Sequence, residues 1–240
     1  QQQGLTVAWW VIIKVPPKVG KIGYGYYDST IKTGKFIYID AKVDSGNTPL
    51  TQTEQQMNSQ ALEHVAWNDE KPTGEVSSTL AHSKGLIAFK TSTGKGFLIN
   101  HSIPNTLDFQ GQNNTVIAAS QNVYGQHLAC FSLSLKELED IASYMLITWP
   151  FIYQSTVLNS AATQNLYKLG TSNFPRETNL FNKHDLRTVF GYTIKTIFKN
   201  NQVNGSIFED GLTSYLSVAP IIAETWGSPI EKAWCRAGFQ

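Results

Sequence analysis

The chain has 240 residues, of which 41% are hydrophobic and 15% are charged, and its formal net charge is +1. This composition excludes an intrinsically disordered chain, and the near-neutral charge lacks the basic footprint of a dedicated nucleic-acid-binding module. No apolar run of about 18 residues occurs, so the sequence predicts no helix that spans a membrane. The first residues do not resemble a signal peptide, so we expect a processed, mature chain or a trimmed one.

Hydrophobic patterning predicts mostly strands in the first half of the chain. Residues 7–15 form an apolar run rich in β-branched and aromatic side chains, which is typical of a buried strand, and two prolines follow it. Residues 92–95 place turn-forming side chains between two further apolar runs and indicate a β-hairpin. Strands are predicted at residues 7–15, 23–27, 36–40, 85–90, 96–102 and 123–132, and a helix at 49–65.

A helix start is recognisable at Ser134 and Glu137. They have the spacing of a capping box, in which the serine hydroxyl accepts from the Glu137 amide and the carboxylate reaches back. The helix is predicted to run to about Thr148, before Pro150. The second half predicts a strand or strand pair at 187–198, a helix at 207–218 and a strand at 221–226. Strands and helices without regular βαβ alternation predict one α+β domain or a mixed-sheet sandwich.

His82 and Lys84 form an H-x-K tripeptide with possible phosphodiester chemistry. Two residues apart on a strand, they point to the same face, about 6–7 Å from each other. An imidazole can attack phosphorus or shuttle a proton, and an ammonium group can hold a nonbridging oxygen. Such tripeptides are common, however, and a solvated strand end is the simpler interpretation of this one alone.

Further segments give the tripeptide a context. They are residues 7–16 (VAWWVIIKVP), 67–72 (WNDEKP), 81–86 (AHSKGL), 96–105 (GFLINHSIPN), 124–130 (YGQHLAC) and, more loosely, 212–226. In this order they resemble the deoxyribonuclease II family over nearly the whole chain, and the H-S-K-G and H-S-I-P-N pair is specific. The chain is identified as a divergent, secreted member of the kind found in parasitic nematodes.

The resemblance implies a phospholipase-D-like α+β fold, with a mixed sheet flanked by helices and two pseudo-symmetric halves. Here these would be residues 1–150 and a degenerate or truncated 151–240. It also implies hydrolysis of DNA at acidic pH to 3′-phosphate ends, with no metal or cofactor. In the family each half supplies one H-x-K motif, so that one histidine attacks phosphorus and the other protonates the leaving 5′ oxygen. His82 and Lys84 match the first motif and His101 a further conserved histidine, so these three are the predicted catalytic residues.

The second H-x-K motif does not occur in this sequence. The nearest string, residues 230–235, has Glu231 and Ala233 at the positions of the histidine and the lysine. Loss of one general acid costs about 10²–10⁴-fold in rate, so we expect a very weak or inactive nuclease that acts by binding. Its ligand would be DNA at acidic pH, a host protein or another chain. The alternatives are an acid endonuclease completed by a homodimer or by further residues, and a structural antigen without a ligand.

The remaining candidates concern modification and minor sites. Cys130 matches a family cysteine whose usual partner, near the N-terminus, is missing here, and a bond to Cys235 is left open. Sequons at Asn113, Asn204 and Asn100 predict glycosylation on loops. His184 with Asp185 suggests a general base or a surface turn. Phosphate contacts or a solvated face are the two interpretations of Lys90, Lys95, Lys195 and Lys199.

Overall fold

The computed structural model of the chain describes residues 6–17, 22–105, 117–175, 181–200, 202–203 and 207–216. The strands of its large sheet are β1 (Trp9–Val15), β2 (Gly23–Asp28), β3 (Ile37–Ile39), β4 (Glu63–Asn68), β5 (Lys84–Lys90), β6 (Lys95–His101), β7 (Gln126–Ser134) and β8 (Ile152–Ser155). A separate hairpin is formed by β9 (Phe181–Arg187) and β10 (Thr193–Lys199). The helices are α1 (Pro49–Gln60), α2 (Leu135–Met145), α3 (Gln164–Gly170) and α4 (Thr213–Leu216).

The large sheet has eight strands in the order β3-β2-β1-β7-β6-β5-β4-β8. All of its ladders are antiparallel. The α+β class is therefore confirmed, but the expected mixed sheet is wrong for the described strands. The physical reason lies in the order of the strands, since β1 and β2, β2 and β3, and β5 and β6 are neighbours both in sequence and in the sheet, and strands joined by so few residues pair antiparallel.

Alternation along the strands gives the sheet two apolar faces. One face carries Ile12, Leu86 and Ile99, which pack with Leu50 and Met57 of α1. The other face packs against α2 and α3, in a cluster that includes Val65, Ile87, Phe89, Leu98, Leu138, Ile141 and Leu166. Both faces of the central strands are thus buried, which explains why β5 reads as a nearly continuous apolar run.

Helix α2 packs on the second face through apolar residues three and four positions apart, as in any amphipathic helix. Its buried residues are Leu135, Leu138, Ile141, Ala142 and Met145. The sheet approaches this helix tightly at Gly96, where a Cβ would lie 2.3 Å from the Ala88 carbonyl oxygen and 2.7 Å from Leu138 Cδ1. Only glycine leaves room for this approach of backbone and helix.

The β9–β10 hairpin is attached to α2 through Glu137. The Ser134 hydroxyl accepts from the Glu137 N–H at 3.1 Å, as the capping box predicts. The Glu137 carboxylate, however, does not reach back to the start of the helix. One of its oxygens lies 2.6 Å from His184 Nε2 and accepts from the Arg187 N–H at 3.0 Å. The second half of the predicted box is therefore wrong, because a cross-element partner takes the carboxylate.

Other predicted elements shift in their limits. The helix predicted over 49–65 ends at Gln60, since Ala61 adopts a left-handed φ of 48° and β4 begins at Glu63. The hydrophobic pattern of the sequence does not predict β8 and α3, because both elements are short. Of the helix predicted at 207–218, residues 207–212 form a π-helical turn and 213–216 form α4, while the remainder and the strand predicted at 221–226 lie outside the described residues. Within the described part of the chain, no helix is long and apolar enough to cross a bilayer.

Replacing Leu138 tests the packing of α2. Leu138 is 0% exposed, so we expect Leu138→Ala to lower the free energy of unfolding by about 2–5 kcal/mol, from lost burial and a residual cavity. Urea denaturation followed by circular dichroism measures this. Leu158→Ala is the matched control, since Leu158 is 71% exposed and its truncation should cost less than about 0.5 kcal/mol. Equal losses in both variants would contradict the described packing.

Candidate active site

The ends of three neighbouring strands bring a row of buried polar side chains together. Lys84, the first residue of β5, lies opposite Asn68 of β4 and opposite His101 of β6. Residues directly opposite each other on antiparallel strands point to the same face, so the three side chains form one row. All three are almost fully buried. His82 precedes Lys84 by two residues, and its side chain is 88% exposed beyond the end of the row.

Asp69, the residue after β4, joins the two members of the H-x-K motif. Its Oδ2 lies 3.0 Å from His82 Nε2, and its Oδ1 is in direct contact with the Lys84 ammonium group. The side chains of Asp69 and Lys84 are only 6% and 5% exposed. A buried cation requires a partner of opposite charge, and Asp69 supplies it while its second oxygen holds the imidazole. The site is therefore a His–Asp–Lys cluster with one exposed and two buried members.

The glycine after Lys84 fixes the position of this cluster in the sheet. At Gly85 a Cβ would lie 2.4 Å from the Trp67 ring and 2.5 Å from the Ile99 carbonyl oxygen. The indole of Trp67 therefore covers the backbone of β5 beside the motif. This contact explains why H-S-K is followed by glycine, and it ties β4, which leads directly into Asp69, to the start of β5.

The segment after β6 is bound over the polar row. The Ile103 N–H donates to His101 Nδ1 at 3.2 Å, and the Asn68 side-chain amide donates to the Ile103 carbonyl oxygen at 3.1 Å. Two residues later, the Asn105 N–H donates to the Glu70 carbonyl oxygen at 2.9 Å. The H-S-I-P-N and N-D-E segments thus hold each other in place, which gives a physical reason for their joint occurrence in the sequence.

His101 is a buried, neutral imidazole. Burial lowers its pKa to about 3, and the nearby positive charges of Lys84 and His127 act in the same direction. Because Nδ1 accepts from the Ile103 N–H, the ring proton must be on Nε2. That nitrogen is buried without a hydrogen-bond partner among the described residues. A group of this kind supports the row and the loop above it, and at about pH 5 it is a neutral imidazole and not the imidazolium that a general acid needs.

The arrangement divides the predicted catalytic residues by their access to a substrate. His82 presents its ring to solvent and has a carboxylate behind it, as a nucleophile or general base needs. Lys84 is enclosed, so its charge acts on the site from inside the protein. The structure brings His82, Lys84 and His101 together, and their catalytic roles stay predictions. Asp69 was absent from the predicted site, although it stands in the W-N-D-E-K-P segment that carries the resemblance.

The minor candidates lie elsewhere. Lys90 and Lys95 face each other at the turn end of the β5–β6 hairpin, whereas Lys84 and His101 are at its open end. His184 contacts Glu137, while the carboxylate of Asp185 pairs with Lys195 at 3.2 Å. The proposed pairing of His184 with Asp185 for general-base work is therefore wrong. Neighbouring strand residues point to opposite faces, so these two side chains cannot meet.

The predicted modification sites fall in different places. Asn100 is exposed, but it lies inside β6 and not on a loop, as its sequon had suggested. Asn113 and Asn204 lie outside the described residues. Cys130 is a buried cysteine on β7 that forms no disulfide within the described residues, and burial raises the pKa of its thiol to about 12. Cys235 also lies outside the described residues, so the proposed bond between the two cysteines stays open.

The ion pair of Asp69 can be tested through stability. Asp69→Ala leaves the Lys84 charge buried without its partner, and we expect the free energy of unfolding to fall by about 3–5 kcal/mol. In Asp69→Leu/Lys84→Met both charges are gone, so most of the loss should be recovered. Chemical denaturation at neutral pH measures both effects.

The control for this measurement is an exposed pair close in sequence. Lys71 and Glu75 lie 2.8 Å apart, with Glu75 61% exposed, so Glu75→Ala should cost no more than about 1 kcal/mol. If Asp69→Ala were as mild as this control, Lys84 would not depend on Asp69.

His101 makes stability depend on pH in a defined direction. In the unfolded chain the imidazole of His101 has a pKa of about 6.5, whereas in the folded protein its pKa is about 3. Between these two pH values the unfolded state therefore binds one proton that the folded state does not. Stability should therefore fall by up to about 1.4 kcal/mol per pH unit as the pH drops below about 6.5. His101→Gln removes this titration, and its unfolding free energy should fall less steeply between about pH 6.5 and 4.5. Parallel curves for the two proteins would contradict a buried neutral His101.

Comparison with known proteins places these features in a family. The family profile described as Deoxyribonuclease II matches residues 1–237. Cell-death-related nuclease 7 of Caenorhabditis elegans is 23% identical, over 93% of this chain and 62% of that protein. Plancitoxin-1 of Acanthaster planci is 26% identical, over 97% of this chain and 68% of that protein. Deoxyribonuclease-2-alpha of Bos taurus is 27% identical, over 62% of this chain and 44% of that protein.

These relatives are longer than the chain, which spans 44% of the bovine protein and 62% of the nematode one. Their identities to it are low, but the family profile extends over nearly all of its residues. The segments that carry the resemblance include those that hold the His–Asp–Lys cluster together. The chain belongs to the deoxyribonuclease II family.

Proposed function

We propose that the chain is a deoxyribonuclease II-type protein with one half of a two-histidine site, which binds DNA at acidic pH and cleaves it very slowly. The observation that carries this proposal is the His82 imidazole, 88% exposed and held 3.0 Å from the Asp69 carboxylate beside the buried Lys84 ammonium. The relatives support DNA as the substrate, since their names describe nucleases and deoxyribonucleases. None of the proposed steps uses a metal ion or cofactor.

The chemistry follows from the positions of the groups. His82 attacks the phosphorus atom of a phosphodiester and forms a transient phosphohistidine, which water hydrolyses to a 3′-phosphate end. Lys84 holds the Asp69 carboxylate in place and offsets its negative charge, so that the phosphodiester is not repelled by an unpaired carboxylate beside His82. His101 keeps the loop over the row in place and stays neutral during the reaction.

The slow turnover follows from the missing partner. These 240 residues contain no second H-x-K motif that could protonate the leaving 5′ oxygen. One general acid contributes about 10²–10⁴-fold to the rate. When two catalytic groups depend on each other, removing one of them can cost nearly all of the rate enhancement that the pair supplies. Binding of DNA, or of a host protein on the same surface, is then the main activity of the chain.

A second candidate function is a complete acid endonuclease formed by a homodimer. The exposure of His82 favours it, because a second copy of the same imidazole could approach across a two-fold axis and act as the acid. This candidate predicts that activity rises with the square of protein concentration below the dimer dissociation constant.

The wider context of the chain is also part of the proposal. We place it in a phospholipase-D-like architecture, with residues 1–150 as the half that carries the motif and 151–240 as a degenerate half. Strand β8, from the second of these segments, pairs with β4 at the edge of the large sheet, which supports one continuous domain. A secreted protein of the parasitic-nematode type, glycosylated at Asn100, Asn113 and Asn204, is consistent with the low content of charged residues.

Plasmid cleavage tests the proposed function. We expect slow nicking of supercoiled DNA at about pH 5 in the presence of EDTA, and its loss in His82→Ala, which should still bind DNA. His127→Ala is the matched control, because His127 is an exposed imidazole on β7 outside the His–Asp–Lys cluster. No nicking above the His82→Ala background would overturn the proposed catalysis and leave binding alone.

The missing acid can be bypassed with a modified substrate. A DNA oligonucleotide with a bridging sulfur at one 5′ position releases a thiolate, which leaves without being protonated. If only the general acid is lacking, this substrate should be cleaved about 10²–10⁴-fold faster than normal DNA, and only when His82 is present. Equal rates on both substrates would show that the acid is not the missing part.

A further inference from the structure

The outer strands of the large sheet carry a strip of aromatic side chains. Helix α2 packs on β5, β6 and β7, and α3 packs on β4 and β8. On β1, β2 and the start of β3, aromatic rings occupy the same face of the sheet, and the turn of the β9–β10 hairpin adds one more ring. This aromatic strip consists of Tyr38, Phe36, Tyr27, Trp9 and Tyr192.

The strand register places these rings side by side. Trp9 lies opposite Phe131, which packs on the apolar cluster beneath α2. Tyr27 pairs with the residue two places after Trp9 and therefore points to the same face. The ring centroids lie 6.2 Å apart for Tyr192 and Trp9, and 5.6 Å apart for Trp9 and Tyr27. The centroids of Tyr27 and Phe36 are also 5.6 Å apart, so the rings form a continuous line.

Two glycines of β2 make room for the rings at the edge of the sheet. At Gly23 a Cβ would lie 2.3 Å from Tyr38 Oη, and at Gly25 it would lie 3.3 Å from Phe36 Cδ1. A side chain at Gly23 would displace the Tyr38 ring, and one at Gly25 would crowd Phe36. Phe36 is 51% exposed and Tyr38 is 48% exposed. Each of these two rings thus has one side against the β2 backbone and one side open to a flat ligand.

Positive charge borders the edge of the aromatic strip. Lys32 and Lys35 are exposed in the connection from β2 to β3, and residues 29–39 contain no acidic side chain. Asp28, just before them, is buried on the opposite face, where it accepts a hydrogen bond from Tyr26 at 2.6 Å. Bases stack on aromatic rings and ammonium groups bind phosphates, so open rings beside lysines fit a single-stranded nucleic acid.

The aromatic strip lies apart from the His–Asp–Lys cluster. In the sheet order β3 is five positions from β5, about 24 Å at about 4.8 Å between neighbouring strands. The polar row with Lys84 also faces the other side of the sheet, because Leu86, two residues further on, packs with α1. A ligand on the strip is therefore bound away from His82.

We propose that the aromatic strip is a second DNA site, which stacks the bases of a single strand while Lys32 and Lys35 bind its phosphates. The inference shares with the proposed function the choice of DNA as the ligand, but it does not depend on His82 or on cleavage. A strand held at the strip keeps the rest of the same DNA molecule near the cluster, which raises its effective concentration there.

Fluorescence anisotropy with a labelled oligothymidine of about 10 nucleotides tests this site. The protein is the whole chain carrying His82→Ala, so that the probe is not cleaved, and the measurement is made at neutral pH, away from the acidic conditions of the proposed function. The same sequence hybridised to its complement should bind at least about tenfold more weakly, because paired bases are not free to stack on the rings. Equal binding of the two probes would overturn the proposal.

Substitutions in the strip separate stacking from apolar contact. Phe36→Ala and Tyr38→Ala should each weaken binding by about 5- to 150-fold, the range for loss of one stacked base. Phe36→Leu keeps an apolar side chain without a ring and should weaken binding nearly as much, whereas Phe36→Trp should retain it. Wild-type binding by Phe36→Leu would overturn the proposal.

The matched control is Leu158→Ala, which should bind as the wild type does, since Leu158 is 71% exposed and lies outside the strip. Circular dichroism shows whether each variant is folded. The leucine and tryptophan variants of Phe36 conserve its packing, so they decide the case even where an alanine variant does not fold.

The dependence of binding on salt tests the two lysines. Two phosphate contacts on a single strand predict that log K falls with log salt concentration with a slope of about −1.4. Lys32→Ala/Lys35→Ala should remove most of this slope and leave the effect of Phe36→Leu in place. An unchanged slope in the double variant would contradict the proposed phosphate contacts.

Sedimentation tests the competing occupant of the strip, a second copy of the chain. Phe36→Leu should sediment as the wild type does at the concentrations of the binding assay. A wild-type dimer that this substitution dissociates would assign the strip to self-association and overturn the proposal.

Plasmid nicking at acidic pH separates a failure of this inference from a failure of the proposed function. Phe36→Leu/Tyr38→Leu should lose oligothymidine binding and still nick plasmid DNA, whereas His82→Ala should bind the oligothymidine and not nick. Nicking by a wild type that does not bind the oligothymidine would overturn the inference alone. Binding by a wild type that does not nick would overturn the proposed catalysis and leave the strip as a DNA site.

Discussion

A buried ammonium group is the constraint on which the site depends. The register of β4, β5 and β6 places Lys84 between Asn68 and His101 in the interior, where a cation is stable only with a partner of opposite charge. Asp69 meets this need at the end of β4, and its second oxygen is then available to His82. The position of the exposed imidazole is thus a consequence of how the charge beneath it is neutralised.

The fold could be predicted from the sequence wherever the hydrophobic pattern is strong. Strand β1 and the β5–β6 hairpin follow from long apolar runs with turn residues between them. Helix α2 follows from its apolar spacing and the hydroxyl of Ser134. Strand β8 could not be predicted, because its four residues are half-buried or exposed and, in the described part of the chain, pair only with β4 at the edge of the sheet. The contact between the Glu137 carboxylate and His184 could not be predicted either, since the two residues are distant in sequence.

Some residues of the candidate site could likewise be predicted from the local sequence, whereas others depend on contacts between segments that are distant in the sequence. Two-residue periodicity predicts that His82 and Lys84 share a face, and the family resemblance adds His101. Asp69 could not be predicted from this periodicity, because its contacts depend on the strand register that sets Asn68 opposite Lys84. The burial of His101 was also beyond the pattern, since it results from the loop that Ile103 and Asn105 tie across the row. A histidine from a segment that carries the family resemblance is here enclosed by its own framework, and its catalytic role stays a prediction.

The described contacts that fix the His–Asp–Lys cluster come from a short stretch of the chain. Asp69, Lys84 and the loop over the row all lie between Trp67 and Asn105, and β4, β5 and β6 pair directly with one another. The half-site is accordingly held by its own strands and does not need a second H-x-K motif to stay folded. Under the proposed function, loss of the general acid in the second half would leave His82, Asp69 and the buried charge of Lys84 in place. The proposal therefore separates stability from turnover, because the contacts that hold the cluster do not depend on the group that is missing.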